Sequence, residues 1–189
     1  MKRHLSLVLI LTAALIINKA NGQAGTSVTD LILKSYSARN FTSEPVSDQD
    51  MNLILNCGIK APSSRNGQPW KFTVVKDTAL TRAVIGNIKP GNVLILISGP
   101  VNQQEAHTAD FDCALAAENM NIAAQSLGLG ARIYGGPVGS VNASLKESLQ
   151  IPAGYSVVTI LRIGQIEKNT DAVSSASARK SFEEIVNFR

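Results

Sequence analysis

The stretch from Asp110 to Gly130, DFDCALAAENMNIAAQSLGLG, decides the fold. Leu115, Met120, Ile122 and Leu127 alternate there with Ala114, Ala116, Ala117, Ala123 and Ala124, which predicts a helix over Asp110 to Leu127. So much alanine suits a helix that its neighbours approach closely, and Gly128 and Gly130 stop it. Upstream, Val93 to Ser98 (VLILIS) is an unbroken apolar run of the buried-strand type. Downstream, Arg132 to Tyr134 reads as a short strand, Val141 to Leu149 as a small helix stopped by Pro152, and Tyr155 to Ile166 as a long β-branched strand. Nearer the N-terminus, Ser27 to Lys34 reads as a short helix with Asp30 in its first turn. Ser47 caps a second helix carrying Met51, Ile54, Leu55 and Ile59, which ends at Ala61-Pro62. Lys71 to Lys76 is strand-like, and a short helix follows across Leu80 to Ile85. Asp171 to Ala178 is a Ser/Ala-rich linker, and Phe182 to Phe188 a short tail with apolar residues. Helices and strands mix without regular alternation, so the class is α+β, a central sheet flanked by helices. No period of about 20–50 residues recurs, which argues against a solenoid or propeller.

Residues 1–22 stand apart. Lys2 and Arg3 precede a 13-residue apolar run, Leu5 to Ile17, and Ala20 and Gly22 put small residues at −3 and −1 of a cleavage site before Gln23. This is the pattern of a secretory signal, and the run is shorter than the roughly 18–20 residues of a membrane span. The expected mature chain, residues 23–189, is one domain with no membrane span, exported to the periplasm or secreted. The whole sequence has 18 basic and 14 acidic residues, a formal charge of +4, but the leader holds Lys2, Arg3 and Lys19 and no acid. The mature chain therefore has 15 basic against 14 acidic residues, a net +1, and nucleic-acid binding loses its electrostatic support.

Several chemistries fall away. The mature chain has one histidine, His107, and two distant cysteines, so no zinc spacing is present. Gly-x-Ser-x-Gly is absent. Gly128-Leu129-Gly130 follows a helix rather than a strand and lacks the third glycine of a dinucleotide fingerprint. Cys57 and Cys113 lie in apolar helical segments, where a thiol behaves as a small hydrophobe. Spacing leaves a Cys57–Cys113 disulfide open. Four loop segments remain as candidate ligand groups. Ser35 to Phe41 offers hydroxyls and a guanidinium suited to phosphate. Ala61 to Trp70 (APSSRNGQPW) offers two hydroxyls, an arginine and two amides. Arg132 to Pro137 has paired glycines that let a planar ligand approach the backbone. Arg179-Lys180 follows the linker.

These segments, in this order, resemble the FMN-dependent nitroreductase family. The similarity lies in the Ser35–Phe41 start, the Pro62–Trp70 loop, and a helix with Asp112, Ala116, Asn119-Met120 and Ala123-Ala124 ending Leu127-Gly128-Leu129-Gly130. The basic pair Arg179-Lys180 completes it. The resemblance implies a nitroreductase-like central mixed sheet flanked by helices, in a homodimer whose interface holds the flavins and is built on the Asp110–Leu127 helix. It implies that Arg39, Arg179 and Lys180, helped by Ser35 and Ser37, hold the FMN phosphate. Pro62, Ser63, Ser64 and Asn66 would line the flavin and ribityl chain, Tyr134-Gly135 would lie beside the isoalloxazine, and Lys89 would approach its polar edge. The activity implied is ping-pong hydride transfer from NADH or NADPH through flavin N5 to a nitroaromatic, quinone or similar small acceptor. Flavin-centred chemistry of this kind makes no acid or base side chain obligatory. The chain departs from the family where basic residues often replace Ser35-Tyr36 and an acidic residue often replaces Tyr134. A second reading is an exported FMN-binding member of the same fold without turnover.

Overall fold

The helices begin where the sequence offers an oxygen to otherwise unpaired N–H groups. In the computed structural model, which describes residues 27–101, 106–167 and 178–189, Ser27 Oγ accepts from the Asp30 N–H at 3.1 Å and starts α1 (Val28–Lys34). Ser47 Oγ accepts from Asp50 at 3.0 Å and starts α2 (Asp48–Ile59). Asp77 Oδ1 accepts from Leu80 at 2.8 Å and starts α3 (Thr78–Val84). The long helix α4 (Ala106–Ser126) begins four residues before the expected Asp110. A three-residue turn, α5 (Val138–Ser140), runs into a π-helical turn at Val141–Leu145. In the tail, Ser181 and Glu184 cap each other reciprocally at the start of α6 (Phe182–Ile185). The proposed leader 1–22 and linker residues 171–177 lie outside the described residues.

Four strands, β1 (Lys71–Val75), β2 (Val93–Pro100), β3 (Gly130–Tyr134) and β4 (Tyr155–Gly164), form one sheet in the order β1-β2-β4-β3. All three pairings are antiparallel, so among the described residues the expected mixed sheet is an antiparallel one. The cause lies in the connections. β2 and β3, joined through α4, run the same way, but β4 inserts between them in the opposite direction and separates the parallel pair. Val158 is skipped where the β2–β4 register shifts at Ile97/Ser98.

The sheet is covered on both faces. Ile95, Ile97, Leu161 and Ile163 point toward α2 and α4, while Leu94, Leu96 and Ile160 meet Val84, Val141 and Leu149 on the other side. β2 is therefore apolar at every position from Val93 to Ile97 rather than alternating. The alanines of α4 belong to this chain's own core: Ala116, Ala117, Ala123 and Ala124 are buried against α2 and the sheet. Gly58 of α2 lets that contact close, since a Cβ there would stand 2.7 Å from Met120 Cγ. Asn119 Nδ2 donates to the Cys57 carbonyl at 3.2 Å and fixes the same helix pair.

The segment after α1 is held by buried polar contacts. Arg162 is 5% exposed, lies 3.9 Å from the Phe41 ring centroid, and donates to Asn92 Oδ1 from Nε at 2.9 Å and from an Nη at 2.6 Å. Asn92 Nδ2 in turn donates to the Thr42 carbonyl at 2.8 Å. With the Ala38 N–H on the Ala131 carbonyl at 3.0 Å and Thr42 on Gln165 at 2.8 Å, residues 38–42 are tied to the β3–β4 end of the sheet.

Candidate functional site

Two polar cavities use the loop segments singled out by sequence. The first, of about 220 Å³, is formed by Ser35 to Ser37, by Arg132 and Ile133 of β3, by Arg179, and by Glu118 and Asn121 of α4. The Tyr36 N–H donates to Gln125 Oε1 at 3.3 Å, which sets this segment against α4. Burial raises the Tyr36 phenol above its ordinary pKa. The Arg132 guanidinium lies 4.8 Å from the Tyr134 ring centroid, which fixes its direction. The lining thus brings two arginines and two serine hydroxyls together with one carboxylate, Glu118, which accepts from Asn121 Nδ2 at 3.1 Å. That balance suits a small dianion, because guanidinium groups bind phosphate oxygens by paired, charge-assisted hydrogen bonds.

The second cavity is a cleft of about 490 Å³ between the loop after α2 and the first turns of α4. Ser64, Arg65, Gly67 and Pro69 face Thr108, Ala109 and Asp112 across it. Asp112 is 3% exposed, and both its carboxylate oxygens accept from the Ser64 N–H, at 3.0 and 3.2 Å. The loop it holds is conformationally costly: Arg65, Asn66 and Gln68 have φ of 51°, 56° and 46°, in the left-handed region. Each such residue costs on the order of 1–2 kcal/mol, least for asparagine. Local bonds help, since Ser63 Oγ accepts from the Gln68 N–H at 3.0 Å and Gln68 Nε2 reaches Asn66 at 3.3 Å. Trp70, just beyond, is buried and stacks on Phe72 with centroids 6.3 Å apart. It is a core residue.

The expected residues fall into place unevenly. Ser35, Ser37 and Arg179 meet in the first cavity. Arg39 and Lys180 are exposed beside these segments and are not among its lining residues. Ser64 lines the second cleft, with Ser63 and Asn66 in the same loop and Pro62 exposed at its start. Tyr134 lies under Arg132, and Gly135 opens the following turn, its carbonyl accepting from Val138 at 3.1 Å. Lys89 is exposed between α3 and β2. Asp112, Gln125, Thr108 and the cavity positions of Arg65 and Arg132 were not legible as site groups. In the sequence Asp112 carried a signal only as part of the family-like helix, and Arg65 and Arg132 only as members of candidate ligand segments. Cys57 and Cys113 are both free, and burial, with Asp110 and Asp112 nearby, pushes the Cys113 thiol up to about 12. Among the described residues no group of histidine, cysteine and carboxylate side chains could hold a metal ion. No described helix is long and apolar enough to cross a membrane.

The architecture is a helix–sheet–helix α+β layer whose cavity-lining groups come from loops, from one edge strand and from α4. The model of the nitroreductase family matches residues 32–90 and 86–165, and the chain belongs to that family. An Archaeoglobus fulgidus protein provisionally named NADH dehydrogenase/NAD(P)H nitroreductase is 28% identical over 150 residues, covering 75% of this chain and 86% of the relative. Among solved structures, a provisionally named nitroreductase from Desulfovibrio desulfuricans in complex with FMN superposes with a TM-score of 0.73 at 30% identity. That match covers 86% of this chain and 96% of the other. An FMN-dependent nitroreductase from Clostridium difficile gives a TM-score of 0.68 at 26% identity, over 86% and 99% of the two chains.

Proposed function

We propose that this protein is an exported FMN-dependent NAD(P)H oxidoreductase that acts on small electron-poor acceptors such as nitroaromatics and quinones. The observation that carries the reading is the cavity where Ser35, Ser37, Arg132 and Arg179, from three separate segments, converge. Its cations and hydroxyls fit the phosphate of FMN, and the family relatives solved with FMN support the same assignment. Ser35, Ser37, Arg132 and Arg179 would hold that phosphate, with Arg39 and Lys180 adding positive charge nearby. Ser63, Ser64 and Asn66 would supply polar contacts from the second loop, and Tyr134-Gly135 an edge for a flat ring. Bound FMN supplies two-electron redox chemistry, taking a hydride from nicotinamide and passing the electrons to an acceptor. For a nitro group the overall balance is one NAD(P)H and one proton consumed, with a nitroso product, NAD(P)⁺ and one water released. The chain's own share is to orient the reactants and to place positive charge where reduction builds negative charge.

The two site loops line separate cavities in one chain, which supports a homodimer that completes each site across its interface. Apolar side chains left exposed on α1 (Val28, Leu33), α4 (Phe111), β3 (Ile133) and the tail (Phe182, Ile185, Phe188) support the same reading. Export rests on the sequence pattern of residues 1–22.

The test is the visible spectrum of the purified mature protein. Flavin bands that bleach on addition of NADPH or NADH are the expected result. Bands that do not bleach with either nicotinamide would favour the FMN-binding reading without turnover, and a colourless protein that takes up no FMN would overturn both.

A further inference from the structure

We infer that the cleft between the 63–69 loop and α4 selects acceptors carrying a negative charge, and that Arg65 recognises that charge. The inference rests on the oxidoreductase reading above and adds the substrate class of the same site. The cleft, at about 490 Å³, is large enough for a substituted aromatic ring. Pro69 and Ala109 give it apolar wall, and Ser64 and Thr108 give it hydroxyls. Among the described residues Arg65 is the one cation that lines it.

Among the described residues no carboxylate pairs with Arg65. Among the described residues the only ion pair is Lys76 with Asp48, on another face. The carboxylate that shares the cleft, Asp112, is buried and turned to the Ser64 N–H, so it holds the loop and does not pair with the guanidinium. Arg65 stands in a left-handed backbone conformation, φ 51° and ψ 25°, that arginine does not favour. Strain of this kind is kept where surrounding contacts over-determine it, and the Ser64–Asp112 bonds do that here. The result is an exposed guanidinium presented at the cleft by a braced loop. A guanidinium in that position pairs with a carboxylate through two parallel hydrogen bonds, and a neutral ring of the same shape forgoes them.

The test compares 4-nitrobenzoate with methyl 4-nitrobenzoate, which match in ring and nitro group and differ in charge, using the flavin-loaded full-length mature chain. Arg65→Asn removes the cation while keeping a residue that tolerates positive φ, and Arg65→Lys keeps the charge. The ratio of kcat/KM for acid over ester is expected to fall about tenfold in Arg65→Asn and to recover largely in Arg65→Lys. Independently of turnover, calorimetry should show benzoate binding weakened about tenfold in Arg65→Asn, with benzamide binding unchanged. An unchanged acid-to-ester ratio in a flavin-loaded variant overturns this inference alone. So does an effect confined to KM for NADPH over NADH, which would assign the arginine to the donor, and so does a loss of FMN affinity that accounts for the whole change. A wild-type protein that binds no flavin overturns the oxidoreductase reading and this inference with it.

Discussion

The Ser64 N–H donates to both carboxylate oxygens of Asp112, at 3.0 and 3.2 Å, across 48 residues of sequence. This contact joins the loop after α2 to α4 and makes one cleft of two surfaces. It also explains how three of the four residues from Arg65 to Gln68, namely Arg65, Asn66 and Gln68, persist in left-handed conformations. A buried carboxylate is costly unless its oxygens are bonded, and the Ser64 N–H supplies that bond to Asp112.

Asp112→Ala should therefore destabilise the protein by about 1.5–3 kcal/mol, the usual range for a hydrogen bond to an ionised group. Asp112→Asn should be milder, because its side-chain carbonyl can still accept from Ser64. Urea unfolding followed by circular dichroism measures both. Midpoints equal to wild type in both variants would show that the loop does not depend on this bond.

Arg179→Ala should weaken FMN binding more than Arg65→Ala does. Arg179 lines the cavity with Ser35, Ser37 and Arg132, whereas Arg65 lines the other cleft. Hydrogen bonds to an ionised group contribute roughly 1.5–3 kcal/mol, or about ten- to hundredfold in affinity. Fluorescence titration of the apo-protein with FMN gives both constants. Equal, small losses would remove Arg179 from the phosphate site.

The Cys113 thiol, raised to about 12 mainly by burial and further by Asp110 and Asp112, fixes a pH dependence. The folded state favours the protonated thiol, so its contribution to stability is whole below the unfolded value of about 9. It is then lost as pH rises from about 9 to 12, since only the unfolded chain ionises readily in that window. The stability of wild type should fall more steeply there than that of Cys113→Ala. Parallel pH profiles of the two proteins would contradict the assignment. In the native protein at pH 8, a thiol reagent should modify half-buried Cys57 before Cys113.

Cleavage after Gly22 should leave Gln23 as the N-terminus of exported protein. Mass spectrometry of material recovered outside the cytoplasm should find this end, intact or cyclised. A mature protein that retains Met1 would withdraw the export proposal.

Much of the secondary structure was legible because its causes are local. Ser27, Ser47 and Asp77 each stand three residues before the N–H they cap, and such short-range bonds leave a mark in any window of sequence. The VLILIS run identified β2 because burial on both faces removes the polar alternation of a one-sided strand. The start of α4 was read four residues late, since the apolar periodicity that marks the helix in sequence begins only beyond Asp110. The alanines of α4 pointed correctly to close approach, but not to what approaches: they are covered by α2 and the sheet of the same chain.

The sequence by itself determined the helices, the strands, the order of the loops that carry hydroxyl and guanidinium groups, and the family they resemble. It could not determine strand direction in the sheet, because that depends on β4 inserting between two strands brought together by α4. Nor could it place Arg132 with Arg179, or separate Arg65 from both. Their positions follow from the β3–β4 register and from Arg162, Asn92 and Phe41 anchoring the segment that leads to the first cavity. Only the tertiary structure decided these points: a cap is a bond between neighbours in the chain, whereas a cavity is formed by residues whose proximity exists only after the sheet has closed.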